Sequence, residues 1–535
     1  MRRFSSSLLL PLFSFACLAV LGSAAACSGS VQADPAVDAG PDTGPGPSRP
    51  DTGVEDPDTG APLRDVIAPV AIDLGTVAEG QEVTFTVPPN ALGFNVVVES
   101  ISANGSIAGI ERITSPSGEI VHDHFTPKGG NHATSYADWE TIASASVPQS
   151  ETKSANPPEP GVWKVRFGGG GPNPTPPPLD GGFDDAGPIE AGPPEGPATL
   201  KAKVTVQIGS AAGFVGGRLD LRVYIPKGLK LDNAILDSEN AKTNAGIERR
   251  IETFFNALAL HTGIERGEVT FHPVASNLSF IDDGELLLSG FAASSTRPNG
   301  EQALQLLLTN GIDFGEGMAA WGIAPGIPGA HTRTGTPMSG IILAVDDTPA
   351  VGDGLTILHE AGHFFGLNHT TELSGESSDP LNDTPRCEGI SIDDPLSLKA
   401  CPDKANVMFP TFYGTAGSLI DVSESQKRVY RGSPIYKAYK TPLTGTMAYR
   451  PSPASVQPVQ GFTLTKSGRA LTPTEAWLSG GLCGHASHAK LDPSTLVKMR
   501  GRGAAIAELT KASTDADLPA MMRRKAAGTL RALTK

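Results

Sequence analysis

His359-Glu360-Ala-Gly-His363-Phe-Phe-Gly366-Leu-Asn-His369 constrains this 535-residue chain more than any other stretch, because it fixes a helix, a sharp exit and a convergence point together. Residues four apart share one face of a helix, so His359 and His363 reach a single ion, with Glu360 beside them. Gly366 has no Cβ and takes the left-handed conformation that ends a helix, which turns the chain back and brings His369 to the same ion. Three imidazoles leave a fourth coordination position for water, and Glu360 is the candidate general base next to it. The cation that suits this donor set is Zn2+.

Three neutral imidazoles leave the ion its positive charge, which lowers the pKa of a bound water toward about 7. Glu360 would take that proton, and the hydroxide would attack a carbonyl polarised by the metal. Glu360 would then pass the proton to the leaving amine. The expected chemistry is therefore hydrolysis of a peptide bond in a protein or peptide substrate.

The eleven-residue motif is the metzincin signature, and on it the chain resembles that group of zinc metallopeptidases. The resemblance implies a methionine in a tight turn beneath the zinc. Met408, in Asn406-Val-Met408-Phe-Pro410, is the candidate for this Met-turn. Asp379-Pro-Leu-Asn-Asp383-Thr384-Pro385-Arg-Cys387, followed by Cys401, is similar to the pappalysin family over about residues 340–430. That likeness implies a structural calcium ion, with Asp379, Asp383 and Thr384 as candidate Ca2+ residues, and a Cys387–Cys401 disulfide. An ordinary acidic turn is the other reading of the three calcium candidates. Pro410 departs from the family, which usually places there a tyrosine thought to stabilise the tetrahedral intermediate. Met-Phe-Pro resembles instead the turn of matrix metallopeptidases, and Tyr413 is out of register, so the tyrosine role is not carried over.

The expected fold is an α/β metzincin catalytic domain, a twisted mixed sheet with active-site and backing helices around a zinc cleft, spanning 217–445. Its first strand is Arg218–Ile225, and Ile247, Ile251, Phe254 and Leu258 recur at helical spacing behind it. A second helix is expected near Val422 to Arg431. The apolar run Gly340–Asp346 is the candidate edge strand for substrate, with a buried central strand as the alternative. An all-β sandwich is expected ahead of this domain at 66–209, from short runs such as Glu82–Val87 and Phe94–Glu99 between turn residues. Ser115–Gly118 and Pro158–Val165 resemble the prepeptidase C-terminal type of sandwich, with Leu200–Ile208 as its last strand. On that reading the Pro/Gly-rich tract 168–197 is a loop within the sandwich. His122 and His124 share a strand face, and read either as metal ligands or as a solvent-exposed strand end.

The N-terminus reads as an export signal over 1–26. Arg2 and Arg3 precede an apolar run, Leu8–Leu21, too short for a comfortable membrane span. Ala24-Ala-Ala26-Cys27 fits a loose bacterial lipobox, with lipidation at Cys27; cleavage by ordinary signal peptidase is also satisfied. The segment 27–65, rich in Asp, Gly, Pro, Thr and Ser, would be a disordered tether. The expected location is the bacterial cell envelope, through that N-terminal lipid anchor on the membrane, or the extracellular space. A net charge of −15 disfavours nucleic acid as a partner. With Cys387 and Cys401 paired, Cys483 is left as an odd thiol in a C-terminal extension, 446–535, whose tail looks helical. Cys483-Gly-His485-Ala-Ser-His488 has ligand types without a companion pair, and a surface loop is its other reading. Two functions are compatible with this chain: a secreted or surface-anchored zinc endopeptidase, and a catalytically weak surface binding or adhesion protein on the same fold.

Overall fold

The computed structural model describes residues 64–102, 107–124, 135–139, 141–150, 157–169, 198–315, 318–345, 350–372, 378–387, 401–410, 420–442, 472, 474–475, 478, 496–497, 500–518 and 520–534. Cys27, the leader, the first tether up to residue 63, most of the 168–197 tract, Tyr413 and the Cys483–His488 cluster lie outside them. The described residues form a mixed α/β structure with several sheets.

Before residue 209, runs such as Glu82–Val87 alternate β-branched or aromatic residues with polar ones, the pattern of a strand with one buried face, whereas Ile142–Val147 is buried throughout. This part of the chain forms β1 (Val66–Ile67), β2 (Val70–Ala78), β3 (Glu82–Val87), β4 (Ala91–Ser100), β5 (Ala108–Thr114), β6 (Ile120–Asp123), β7 (Ser135–Trp139), β8 (Ile142–Val147), β9 (Gly161–Gly169) and β10 (Thr199–Ile208). All but β1 build two antiparallel sheets, ordered β2-β10-β4-β8-β7 and β3-β9-β5-β6. Their inward side chains share one core, where the Phe94 ring meets Phe85 and Trp163 edge-on at 5.2 and 4.9 Å. The Trp163 indole N–H donates to the Glu159 carbonyl at 2.7 Å, which ties down the turn before β9.

The second half contains β11 (Gly217–Pro226), β12 (Leu229–Leu231), β13 (Ala234–Leu236), β14 (Ile264–Val274), β15 (Ala303–Thr309), β16 (Ile312–Gly315), β17 (Met318–Ala320), β18 (Gly322–Ile323), β19 (Ile341–Ala344) and β20 (Lys437–Tyr439). Between them lie α1 (Ala245–Thr262), α2 (Gly284–Phe291), α3 (Ala350–Phe365) and α4 (Glu424–Gly432), and α5 (Arg502–Thr514) and α6 (Ala520–Thr534) follow. Asn244 starts α1 by accepting the Gly246 and Ile247 N–H groups, and Gly263, at φ 79°, ends it. Its Ile247, Ile251, Phe254 and Leu258 are all buried. β11 runs parallel to β14 and β15, β15 parallel to β19, and β19 antiparallel to β18.

Strand alternation divides this sheet between two cores. Leu306, Leu308, Ile341 and Leu343 face α1 and α3, whereas Leu307, Ile342 and Ala344 face α2, α5 and α6. Arg250 of α1 donates to Asp353 of α3 at 2.5 Å, an ion pair buried on both sides.

The candidate substrate strand is corrected by this topology. β19 has β15 on one side and β18 on the other, and all four of its residues are buried. Its apolar run reflects burial on both faces, and the edge of the sheet is β18. Val66–Ile67 is a second departure: β1 pairs antiparallel with β20 rather than joining a sandwich sheet. The Arg64 guanidinium lies 3.4 Å above the Tyr439 ring beside that pairing. The β4–β8 sheet meets the loop after β18 through Ser144 Oγ donating to the Gly329 carbonyl at 2.9 Å and an Arg333–Glu99 ion pair. Val97, Ile142, Ala330 and Met338 form an apolar cluster there. Residues 64–535 accordingly make one compact unit.

Candidate metal centre

His359 and His363 lie one turn apart on α3. Gly366 stops the helix at φ 119°, a conformation L side chains rarely adopt. The Gly366 and Leu367 N–H groups bond back to the Gly362 carbonyl at 3.1 and 2.8 Å, and the chain returns His369 to the two helical histidines. The three Nε2 atoms form a triangle with sides of 3.0, 3.1 and 3.2 Å. Tetrahedral zinc with Zn–N near 2.0–2.1 Å separates its ligand nitrogens by about 3.3 Å.

The outer ring nitrogens assign the tautomers. His359 Nδ1 lies 2.6 Å from the Val407 carbonyl, His363 Nδ1 2.7 Å from the Leu367 carbonyl, and His369 Nδ1 3.0 Å from Glu372 Oε2. These oxygens only accept, so each Nδ1 carries the proton and each neutral ring turns an Nε2 lone pair inward. Three lone pairs at this separation repel unless a cation sits between them, so the residues fit a metal ion; the group can hold one.

Glu360 and the three histidines are 0 % exposed. The Glu360 side chain packs on β18 at Gly322, where an added Cβ would stand 2.6 Å from its Cγ and 2.8 Å from Oε1. Below the helix, a Cβ on Gly362 would stand 2.4 Å from Met408 Sδ. Met408 thus lies under the turn of α3 between the two helical histidines, in a tight turn closed by the Phe409 N–H bonding to the Asn406 carbonyl at 3.0 Å. Asn406 Oδ1 also accepts the Met408 N–H at 2.9 Å. That turn aims the Val407 carbonyl at His359.

The calcium candidates are near one another but face different partners. The Thr384 hydroxyl donates to Asp379 Oδ1 at 2.6 Å, while Asp383 Oδ2 accepts the Ser425 N–H at 2.9 Å at the start of α4. Asp379 is buried, its Oδ2 has no hydrogen-bond partner among the described residues, and burial pushes its carboxyl up to about 7 against the opposing pull of Thr384. Burial also raises Asp383, but hydrogen bonds from Ser425 and Ser423 outweigh it and leave the group lowered. Cys387 and Cys401 form a disulfide with Cα atoms 5.1 Å apart. Cys401 and Cys387 also lie close to Asp403, but as a disulfide they offer no thiolate.

His122 and His124 join no metal-ligand group among the described residues. His122 Nε2 donates to the Ile110 carbonyl at 2.9 Å and its ring lies 4.7 Å from Tyr136. Sequence reasoning passed over Glu372, Gly322 and His331. His331, fully buried, donates from Nε2 to the Phe364 carbonyl at 2.7 Å and so satisfies the end of α3. None of the three sits in a periodic pattern; only the Ser423-x-x-Gln426 capping box beside the site had a local signal.

No protein-family profile matches the chain, and no curated protein matches it. Among solved structures it is similar to archaemetzincin from Methanopyrus kandleri, at 17% identity over 41% of this chain and 88% of that chain, with a TM-score of 0.20. The functional reading rests on the geometry of the three histidines.

Proposed function

We propose that this chain is a zinc-dependent metalloendopeptidase of the metzincin type. The observation that carries the reading is the triangle of three Nε2 lone pairs, each ring fixed by an acceptor at its other nitrogen. Bound at His359, His363 and His369, zinc supplies Lewis acidity toward water and a scissile carbonyl. Glu360, the residue after His359 on α3, takes a proton at its carboxylate and returns it to the leaving amine. Met408 forms the floor under the histidines. β18, last in the sheet order, offers its backbone to an extended peptide.

Finer assignments belong to the same reading. The pappalysin-like segment between the histidines and the Met-turn supports a Ca2+ ligand at Asp379, whose buried Oδ2 lacks a partner among the described residues. Lipidation at Cys27 and a place in the cell envelope are supported by the N-terminal sequence alone.

The test is hydrolysis of a quenched-fluorescent peptide library by the protein spanning residues 64–535. Cleavage should disappear in Glu360→Ala and on chelation, and return with zinc. Stoichiometric zinc without cleavage would favour a surface binding protein instead.

A further inference from the structure

We infer that Glu372 is a positioning residue for the third zinc ligand and sets the affinity of the site for its metal. This deepens the zinc reading and rests on it. Two of the three histidines spend their Nδ1 proton on main-chain carbonyls, those of Val407 and Leu367. At its Nδ1, His369 faces a carboxylate instead, Glu372 Oε2, at 3.0 Å. A carboxylate carries a full negative charge where a carbonyl carries a partial one. It makes the imidazole a stronger donor to a cation at Nε2 and lowers the net charge of the loaded site.

The need for such a partner follows from where His369 lies. His359 and His363 are held by the hydrogen-bond ladder of α3, whereas His369 comes after the helix has ended and is oriented by its own segment. That segment is tied down at the two residues just before Glu372. The Thr370 N–H bonds to the Met408 carbonyl at 3.1 Å, and the Thr371 hydroxyl donates to Asp403 Oδ2 at 2.6 Å. Thr371 also bridges to Ser378, and its hydroxyl oxygen accepts the N–H of Cys387, half of the disulfide, at 3.3 Å. The backbone at 372 is thus anchored through Met408, Asp403 and the disulfide, which delivers the carboxylate to the ring three residues back. The Glu372 side chain is 18% exposed, so its charge keeps part of its hydration while it faces the ring.

The experiment measures zinc affinity by competition with a fluorescent chelator on the protein spanning residues 64–535, in wild type, Glu372→Gln, Glu372→Asp and Glu372→Ala. Glu372→Gln keeps the length and an acceptor oxygen but removes the charge, so it separates electrostatics from packing. Zinc binding should weaken by about 10- to 100-fold in Glu372→Ala, and by a smaller factor in Glu372→Gln. Glu372→Asp should recover part of the loss. With the anion gone, the acidic limb of the kcat/KM pH profile should also move to lower pH in Glu372→Gln, a shift that a packing role would not produce. Wild-type zinc affinity in both Glu372→Gln and Glu372→Ala would overturn the inference while leaving the zinc reading intact. A wild-type protein that binds no zinc would overturn both.

Discussion

Asn406 and Gln426 hold each other by two amide–amide hydrogen bonds of 2.9 Å, joining the turn beneath the histidines to the first turn of α4. Gln426 closes the capping box with Ser423, and Asn406 accepts the Met408 N–H. The pair therefore couples a helix start to the peptide that presents the Val407 carbonyl to His359. Asn406→Ala takes the Oδ1 acceptor from the buried Gln426 Nε2 and from the Met408 N–H, and should destabilise the protein by about 2–4 kcal/mol in urea unfolding. Zinc should also dissociate faster from the variant. Unchanged zinc release would show that α3 alone orients His359.

Gly322→Ala places a methyl against the Glu360 carboxylate arm. The three atoms nearest that methyl belong to Glu360 and Thr356 and none to a histidine, so zinc content should stay at one equivalent. Displacing a catalytic base by a fraction of an ångström should lower kcat by roughly 10- to 100-fold. Wild-type kcat would mean that Glu360 swings clear of β18 during turnover.

A protein cut to residues 217–445 should not fold as the longer chain does. The cut removes β1 from β20 and strips α5 and α6 from the sheet face bearing Leu307, Ile342 and Ala344. It also exposes the cluster at Ala330 and Met338 that packs on Val97 and Ile142. The expected result is aggregation or a loss of near-ultraviolet circular dichroism relative to residues 64–535. A monomeric, cooperatively melting fragment would contradict the single-unit account.

Stability should depend on pH through two buried groups, His331 and Asp379, and the half-buried His122, with opposite signs. Burial pushes His331 and His122 down to about 4 from their ordinary value near 6.5. Each binds fewer protons folded than unfolded in that window, so the stability they carry is present above about pH 6.5 and is lost as pH falls toward 4. Asp379 runs the other way: with its folded carboxyl raised to about 7, stability falls as pH rises from about 4 to 7. Asp379→Asn removes that loss, and without added calcium the variant should exceed wild type at pH 8 by roughly 2–4 kcal/mol. The same melts should show it losing stability more steeply than wild type below pH 6.5. Equal melting of the two proteins at pH 8 would contradict the buried-carboxyl account.

The parts of this site that were legible in the sequence are those set by local chain geometry. Helical spacing alone brings His359 and His363 together, and a residue without a Cβ at 366 is enough to turn His369 back. The spacing of Ile247, Ile251, Phe254 and Leu258 marks α1 for the same reason. The identity of the edge strand was not legible, since four apolar residues at 341–344 read alike whether a neighbour lies on one side or both. Nothing local tells that Val66–Ile67 crosses to β20, or that α5 and α6 form the layer over Trp321 and Ile323, because those partners lie far apart in the chain. Glu372 lies only three residues from His369, but in an irregular segment that spacing has no geometric meaning until the Thr371 contacts fix the backbone.

The most direct test of the central claim is the zinc K-edge X-ray absorption spectrum of the zinc-loaded protein spanning residues 64–535. The account predicts three imidazole nitrogens and one further light-atom ligand at about 2.0–2.1 Å, with the imidazole signal falling to two in His369→Ala. A sulfur shell near 2.3 Å, or an unchanged imidazole count in His369→Ala, would contradict it.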